Sequence, residues 1–154
     1  MNGAFAVERE EDAFWWHGSL YRIKARGSAT GGAIGVVDAT LYRGFGPALH
    51  IHRHEDEAFY VLEGKIRFRV RDDEFVGGPG RWVWAPRLVP HTFTVESETA
   101  RALILFTPGG FEGMFEAGGV PVGESPEPPA QEYDLAHTLT VSDRFGLEVV
   151  GPRL

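Results

Sequence analysis

Glycine and proline interrupt this chain so often that few segments between them are long enough for a helix. The 154 residues include 20 glycines and 10 prolines, and short apolar segments punctuated in this way favour β structure. Lys65 to Arg71 is the clearest case. Ile66, Phe68 and Val70 alternate there with Lys65, Arg67, Arg69 and Arg71, so one face of a strand is buried and the other wet. Similar runs occur at Leu20 to Ala25, Ala33 to Leu41, Pro47 to His52, Ala58 to Leu62, Arg81 to Ala85, His91 to Val95 and Ala100 to Phe106. About eight strands at this even spacing predict an all-β sandwich or barrel. Glu63-Gly64 is expected to be a two-residue hairpin connection, with the glycine free to take positive φ. Asp72 to Glu74 is expected to be a solvated turn.

After Thr107 the pattern changes. Pro108-Gly109-Gly110 stops the last strand, and Phe111, Met114 and Phe115 follow at helical spacing. Residues 118–129 are rich in Pro, Gly and Glu and are expected to form an exposed connection. A second helix is predicted from Asp134, a good N-cap, through Leu135, Leu139 and Phe145 to Gly146 as its stop. Leu147 to Val150 is expected to return as a short edge strand. The C-terminal part is thus a short helical extension, about 111–154, on a barrel core of about 17–107. With no internal repeat, 1–154 is expected to be one domain.

Composition narrows the possible partners. Hydrophobic residues make up 43% and charged residues 24%, the balance of a folded globular chain rather than a disordered one. No apolar run approaches the ~20 residues of a bilayer span. The N-terminus lacks the basic start and long apolar stretch of a secretory signal, so the expected location is cytoplasmic. A formal net charge of −7 disfavours nucleic acid and anionic membrane surfaces, which would repel it. The absence of cysteine leaves only nitrogen and oxygen to hold a transition metal.

Such a ligand set is found around Pro47 to Glu57. In a strand of period two, His50 and His52 share a face and their imidazoles can converge on one ion, while Ile51 points away. Glu57 follows a tight turn and can return beside them as an oxygen ligand. His91, after Pro86 and Pro90, brings a third imidazole from another strand. Three imidazoles and a carboxylate suit one divalent ion of Fe, Mn, Ni, Co, Cu or Zn and leave a position open for water, substrate or dioxygen. Periodicity alone would equally allow His52 and His54 as the pair.

Spacing decides between the pairs through a family resemblance. The first motif of the cupin superfamily, Gly-x5-His-x-His-x4-Glu-x6-Gly, is matched by Gly44, His50, His52, Glu57 and Gly64. The second, Gly-x5-Pro-x-Gly-x2-His-x3-Asn, is matched by Gly80, Pro86 and His91, with Leu88 in place of its Gly and Val95 in place of its Asn. Asp56 to Gly64 and Phe106 to Glu112 also resemble single-barrel cupins of the bacterial quercetin 2,3-dioxygenase type. The resemblance implies a cupin double-stranded β-helix, or jelly-roll barrel, with metal on His50, His52, Glu57 and His91. It makes His54 a loop histidine facing solvent.

Further roles follow from placement. Phe59, Val61 and Phe93 follow ligands at even spacing and are candidates for the walls of an apolar substrate pocket. His17 and His137 lie outside every motif and are expected to be structural. Phe111, Met114 and Phe115 are expected to pack on the barrel end. Trp82, Trp84 and Phe14-Trp15-Trp16 offer apolar surface for a homodimer. The resemblance implies a metal-dependent dioxygenase for a small aromatic or enediol substrate, with Glu57 as both ligand and catalytic base. The alternative is a metal-containing cupin that binds or isomerises a small molecule without oxygenase activity.

Overall fold

The computed structural model describes residues 3–7, 12–125, 127–128 and 133–154. The charged segment 8–11 and parts of the expected connection 118–129, namely Pro126 and Pro129, lie outside the described residues. Alternation sets the strands: β1 (Ala13–Trp16), β2 (Ser19–Ala25), β3 (Gly35–Tyr42), β4 (Ala48–His52), β5 (Asp56–Glu63) and β6 (Ile66–Val70). They continue as β7 (Asp73–Gly77), β8 (Trp82–Ala85), β9 (His91–Val95), β10 (Thr99–Thr107), β11 (Val120–Pro121) and β12 (Leu147–Arg153). The helices α1 (Gly113–Gly118) and α2 (Leu135–Ser142) accompany them among the described residues.

The strands form two antiparallel sheets, β11-β1-β2-β3-β10-β5-β8 and β12-β4-β9-β6-β7. Their inner faces share one core, in which Val37, Leu41, Val61, Ile66, Phe68 and Phe106 have essentially no exposure. This is the expected jelly roll. In β10, Ala100, Ala102, Ile104 and Phe106 point inward while Arg101, Leu103, Leu105 and Thr107 point out, the period-two pattern that locks strand register.

Glu63-Gly64 does not close a hairpin. β5 pairs with β8 and β10, whereas β6 pairs with β7 and β9, so the connection is a corner that carries the chain from one sheet to the other. Gly64 still takes φ +79, and a Cβ there would lie 2.3 Å from the Thr99 carbonyl oxygen. Crowding by the opposite sheet, rather than a hairpin turn, requires the glycine. The hairpin that follows joins β6 to β7 through Arg71, which adopts φ 57. Asp73 and Glu74 therefore belong to β7, opposite Val70 and Arg69, and only Asp72 is left to the turn.

Three strands extend the sequence reading. Phe14, Trp15 and Trp16 form β1, paired with β2 and β11 and buried, so they are not surface for a partner. Their own chain covers them: the Trp16 ring meets Phe115 edge-on at 6.3 Å, and Trp15 Nε1 donates to the Ser125 carbonyl at 2.6 Å. Val120 and Pro121, expected in an exposed connection, pair with β1 instead. The last strand runs on to Arg153 and pairs with β4. Helix α2 begins where expected, with the Asp134 carboxylate accepting from His137 N at 3.0 Å, but it ends at Ser142, and a 3-10 turn over Asp143–Phe145 carries the chain to Gly146 with φ 67.

Gly64 and Gly80 separate conformational strain from crowding. Both have left-handed φ, but a Cβ on Gly80 meets nothing within 4 Å. Gly80→Ala should cost about 1–2 kcal/mol, the penalty of left-handed backbone, and Gly64→Ala should cost clearly more. Urea denaturation of the two variants measures the difference.

Candidate metal centre

The two sheets divide the candidate ligands between them. β4 and β9 are adjacent in the smaller sheet, with His50 directly opposite His91 in an antiparallel pair, and their rings lie 4.4 Å apart. His52, two residues on, shares their face, and its ring stacks on His91 at 5.2 Å. Glu57 comes from β5 in the facing sheet, just past the short turn 53–55 that follows β4. All four residues are buried, and one ligand atom from each lies within 4.8 Å of the others.

Every imidazole is held by the nitrogen away from the site. His50 Nδ1 lies 2.7 Å from the Ala48 carbonyl oxygen and His91 Nδ1 lies 3.0 Å from that of Val89. His52 Nδ1 lies 2.7 Å from Glu55 Oε1. Acceptors at Nδ1 hold a proton on that nitrogen and direct Nε2 into the site, where it can ligate a metal once any second proton is lost. On the inner side, Glu57 Oε2 lies 2.7 Å from His91 Nε2 and 3.0 Å from His52 Nε2. The latter contact is out of line for a hydrogen bond, and His52 Nε2 is buried without a hydrogen-bonding partner among the described residues. An orphaned buried nitrogen facing a carboxylate and two further imidazoles fits a divalent cation.

Electrostatics give the same picture. Burial raises the Glu57 carboxyl, but the charges of the neighbouring His52 and His91 imidazoles and the hydrogen bond from His91 outweigh it and hold the group well below the usual range. Burial likewise disfavours charged His52, yet Glu57 and Glu55 overcome it and raise the imidazole to about 9. His50 is pushed well below its ordinary value, first by burial and then by His91 and His52. With no ion bound, the His52 proton compensates the buried carboxylate, the role a cation takes over.

A chamber of about 60 Å³ adjoins these groups, lined in part by Tyr21, Phe93, Ile104, Phe111, Met114 and Phe115. That volume holds a few waters, since one needs roughly 10–15 Å³ on this measure. Phe111, Met114 and Phe115 form its roof, and the Phe111 ring meets His52 edge-on at 4.3 Å. Phe93 lines the chamber. Phe59 and Val61 are buried in the core and are not among its lining residues; the Phe59 ring packs against Phe68 at 5.2 Å and Phe93 at 5.5 Å. His54 is exposed. His17 and His137 lie away from the centre: His17 is within 2.9 Å of Thr138 Oγ1, and His137 Nε2 is 2.6 Å from the Gly118 carbonyl oxygen.

Sequence reasoning missed Glu55, whose only signal is its place three residues after His52 in an acidic run. It also missed what Leu88 does. That residue keeps the left-handed φ, 64, suited to the motif's glycine, and its N–H donates to the His52 carbonyl at 2.8 Å. The departure from the motif thus preserves a turn that ties the loop before β9 to the end of β4.

Residues 39–107 match the family model described as the cupin domain. Over 102 residues the chain is 29% identical to quercetin 2,3-dioxygenase of Bacillus subtilis (strain 168), covering 66% of this chain and 30% of that protein's length. Among solved structures, KdgF from Halomonas sp. superposes with a TM-score of 0.63 at 23% identity, covering 71% of this chain and 96% of that one. A RmlC-like cupin from Shewanella frigidimarina gives 0.60 at 17% identity, covering 70% and 93%. The fold is that of the cupins, and these likenesses support a cupin domain over residues 39–107 with a distant similarity to quercetin 2,3-dioxygenase.

Two outcomes test the centre. His52→Ala and His91→Ala should each remove most bound metal, measured by elemental analysis, whereas His54→Ala should retain it. Because the His52 imidazole is charged below about pH 9 in the ion-free protein, an ion must displace its proton. Apparent affinity should therefore rise with pH from 6 to 9 and level off above. Calorimetry in buffers of different ionisation enthalpy should show about one proton released per ion at pH 7.

Proposed function

We propose that this chain is a metal-dependent dioxygenase that inserts both atoms of dioxygen into a small, electron-rich aromatic or enediol substrate. The observation that carries the reading is a buried carboxylate, Glu57, facing three imidazoles at the wall of an apolar chamber. His50, His52, Glu57 and His91 would hold one divalent ion. Such an ion would supply Lewis acidity, lowering the pKa of a bound substrate hydroxyl and favouring its reaction with dioxygen.

The remaining work belongs to the chain. Glu57 is ionised across the neutral range and accepts the substrate hydroxyl proton through an oxygen already directed into the site. Phe93 and Ile104 supply an apolar wall for a ring or enediol, and Phe111, Met114 and Phe115 add further apolar surface to the lining. A chamber of about 60 Å³ is far below the roughly 300 Å³ of pockets that enclose drug-sized ligands. A catechol or enediol therefore suits it better than a flavonol, and either requires the roof to shift. The same small chamber supports the second reading, in which Glu57 moves a proton within a bound small molecule and no oxygen is consumed.

We further propose that the chain acts as one cytoplasmic domain and as a homodimer. The free edge of β8 supports the dimer, since Trp82 and Trp84 are 52% and 45% exposed there and no charge lies within the strand.

Oxygen-electrode assays on protein loaded with iron, manganese, nickel or cobalt, with catechols, enediols and flavonols, test the reaction. The expected result is uptake of one dioxygen per substrate with at least one metal, and a Glu57→Gln variant that loses turnover by more than it loses metal. No uptake in any combination, with metal content verified, would leave the isomerase or binding reading in its place.

A further inference from the structure

Among the side chains that line the chamber, Tyr21 is a polar group with no part in metal binding or proton transfer. It projects inward from β2, between the cross-strand neighbours Phe14 and Ala39. Its ring is clamped by a parallel stack on Phe115 at 4.1 Å and an edge contact with Phe45 at 6.4 Å. Only 3% of the residue is exposed. Its hydroxyl makes no hydrogen bond to any described residue, yet its oxygen is not among the fully enclosed unpartnered atoms, so it opens onto the chamber. A tyrosine hydroxyl at the wall of a largely apolar space finds its partner in whatever occupies that space.

Two other polar side chains of the chamber outside the ligand set, Tyr133 and Thr138, are engaged, whereas the Trp16 indole N–H, like the Tyr21 hydroxyl, has no hydrogen bond to a described residue. Tyr133 Oη accepts from Ala48 N at 3.1 Å, and Thr138 Oγ1 donates to the Asp134 carbonyl at 3.1 Å while lying 2.9 Å from His17 Nε2. Tyr21 is thus a donor at the chamber wall whose ring is packed between Phe115 and Phe45. Burial keeps it protonated, and the negative charge of Glu57 acts in the same direction. A phenol held neutral in an apolar space offers its proton to an acceptor and gains most when that acceptor is charged.

We propose that Tyr21 is a substrate-binding residue whose hydroxyl donates a hydrogen bond to an anionic or carbonyl oxygen of the small molecule held in the chamber. This assigns complementary parts to two side chains, Glu57 accepting a proton from the ligand and Tyr21 stabilising the oxygen charge left on it. It selects enolates, catecholates and enediolates over ligands that present only apolar surface. The inference rests on the reading of the chamber as a ligand site beside a metal, and not on the consumption of oxygen.

The test compares wild-type protein with Tyr21→Phe and, as a surface control, Tyr60→Phe, all loaded with zinc so that no oxidation intervenes. The probe is 4-nitrocatechol, whose absorbance shifts on ionisation and binding. Tyr21→Phe should weaken binding by about ten- to a hundredfold, the effect of losing a hydrogen bond to a charged group, with zinc content unchanged. Probe-free Tyr21→Phe should melt at the same temperature as wild type or higher, because it loses a hydroxyl that had no partner. Equal probe affinity, or a clearly lowered melting temperature, would overturn the proposal. If zinc-loaded wild type fails to bind the probe at all, the ligand-site reading fails and Tyr21's role fails with it.

Discussion

A buried carboxylate needs a positive partner, and much of this molecule is arranged around that need. Glu57 sits on one sheet where water cannot reach it freely, and a lone carboxylate there would be too costly to keep ionised. The opposite sheet answers with His50, His52 and His91, of which His52 carries the compensating proton when no ion is present. A divalent ion bound among these four would replace that proton with a larger charge, so the same electrostatics that shape the ion-free fold favour metal uptake.

Strand pairing makes this compensation possible. His50 and His91 meet because β4 and β9 are in register, and Glu57 meets them because β5 crosses to the facing sheet only a few residues after His52. Glu55 and two backbone carbonyls aim the imidazoles from behind. The roof residues Phe111, Met114 and Phe115 lower the local polarity from the other side and bring the stack that positions Tyr21. Barrel, roof and ligand set are therefore coupled: a change in the roof acts on the charge balance below it.

Much of this was legible in the residues themselves. Alternation located eight strands, including His91 to Val95 at both ends, because period-two burial leaves a direct trace in sequence. The convergence of His50 and His52 followed from the same period. Sheet partition was not legible, since Glu63-Gly64 suits a hairpin and an inter-sheet corner equally and only distant pairing decides between them. β1 was hidden because Phe14 to Trp16 is apolar on both faces and shows no alternation. Glu55 and Tyr21 escaped because nothing local separates a buried acid from the charges beside it, or a chamber tyrosine from a core one.

X-ray absorption at the metal edge of the purified, metal-loaded protein probes the central claim most directly. One ion per chain is expected in a nitrogen and oxygen shell, with outer-shell scattering from three imidazoles and the remaining positions filled by Glu57 and water. A protein that neither retains nor takes up a transition metal, or a spectrum with one imidazole or none, would contradict it.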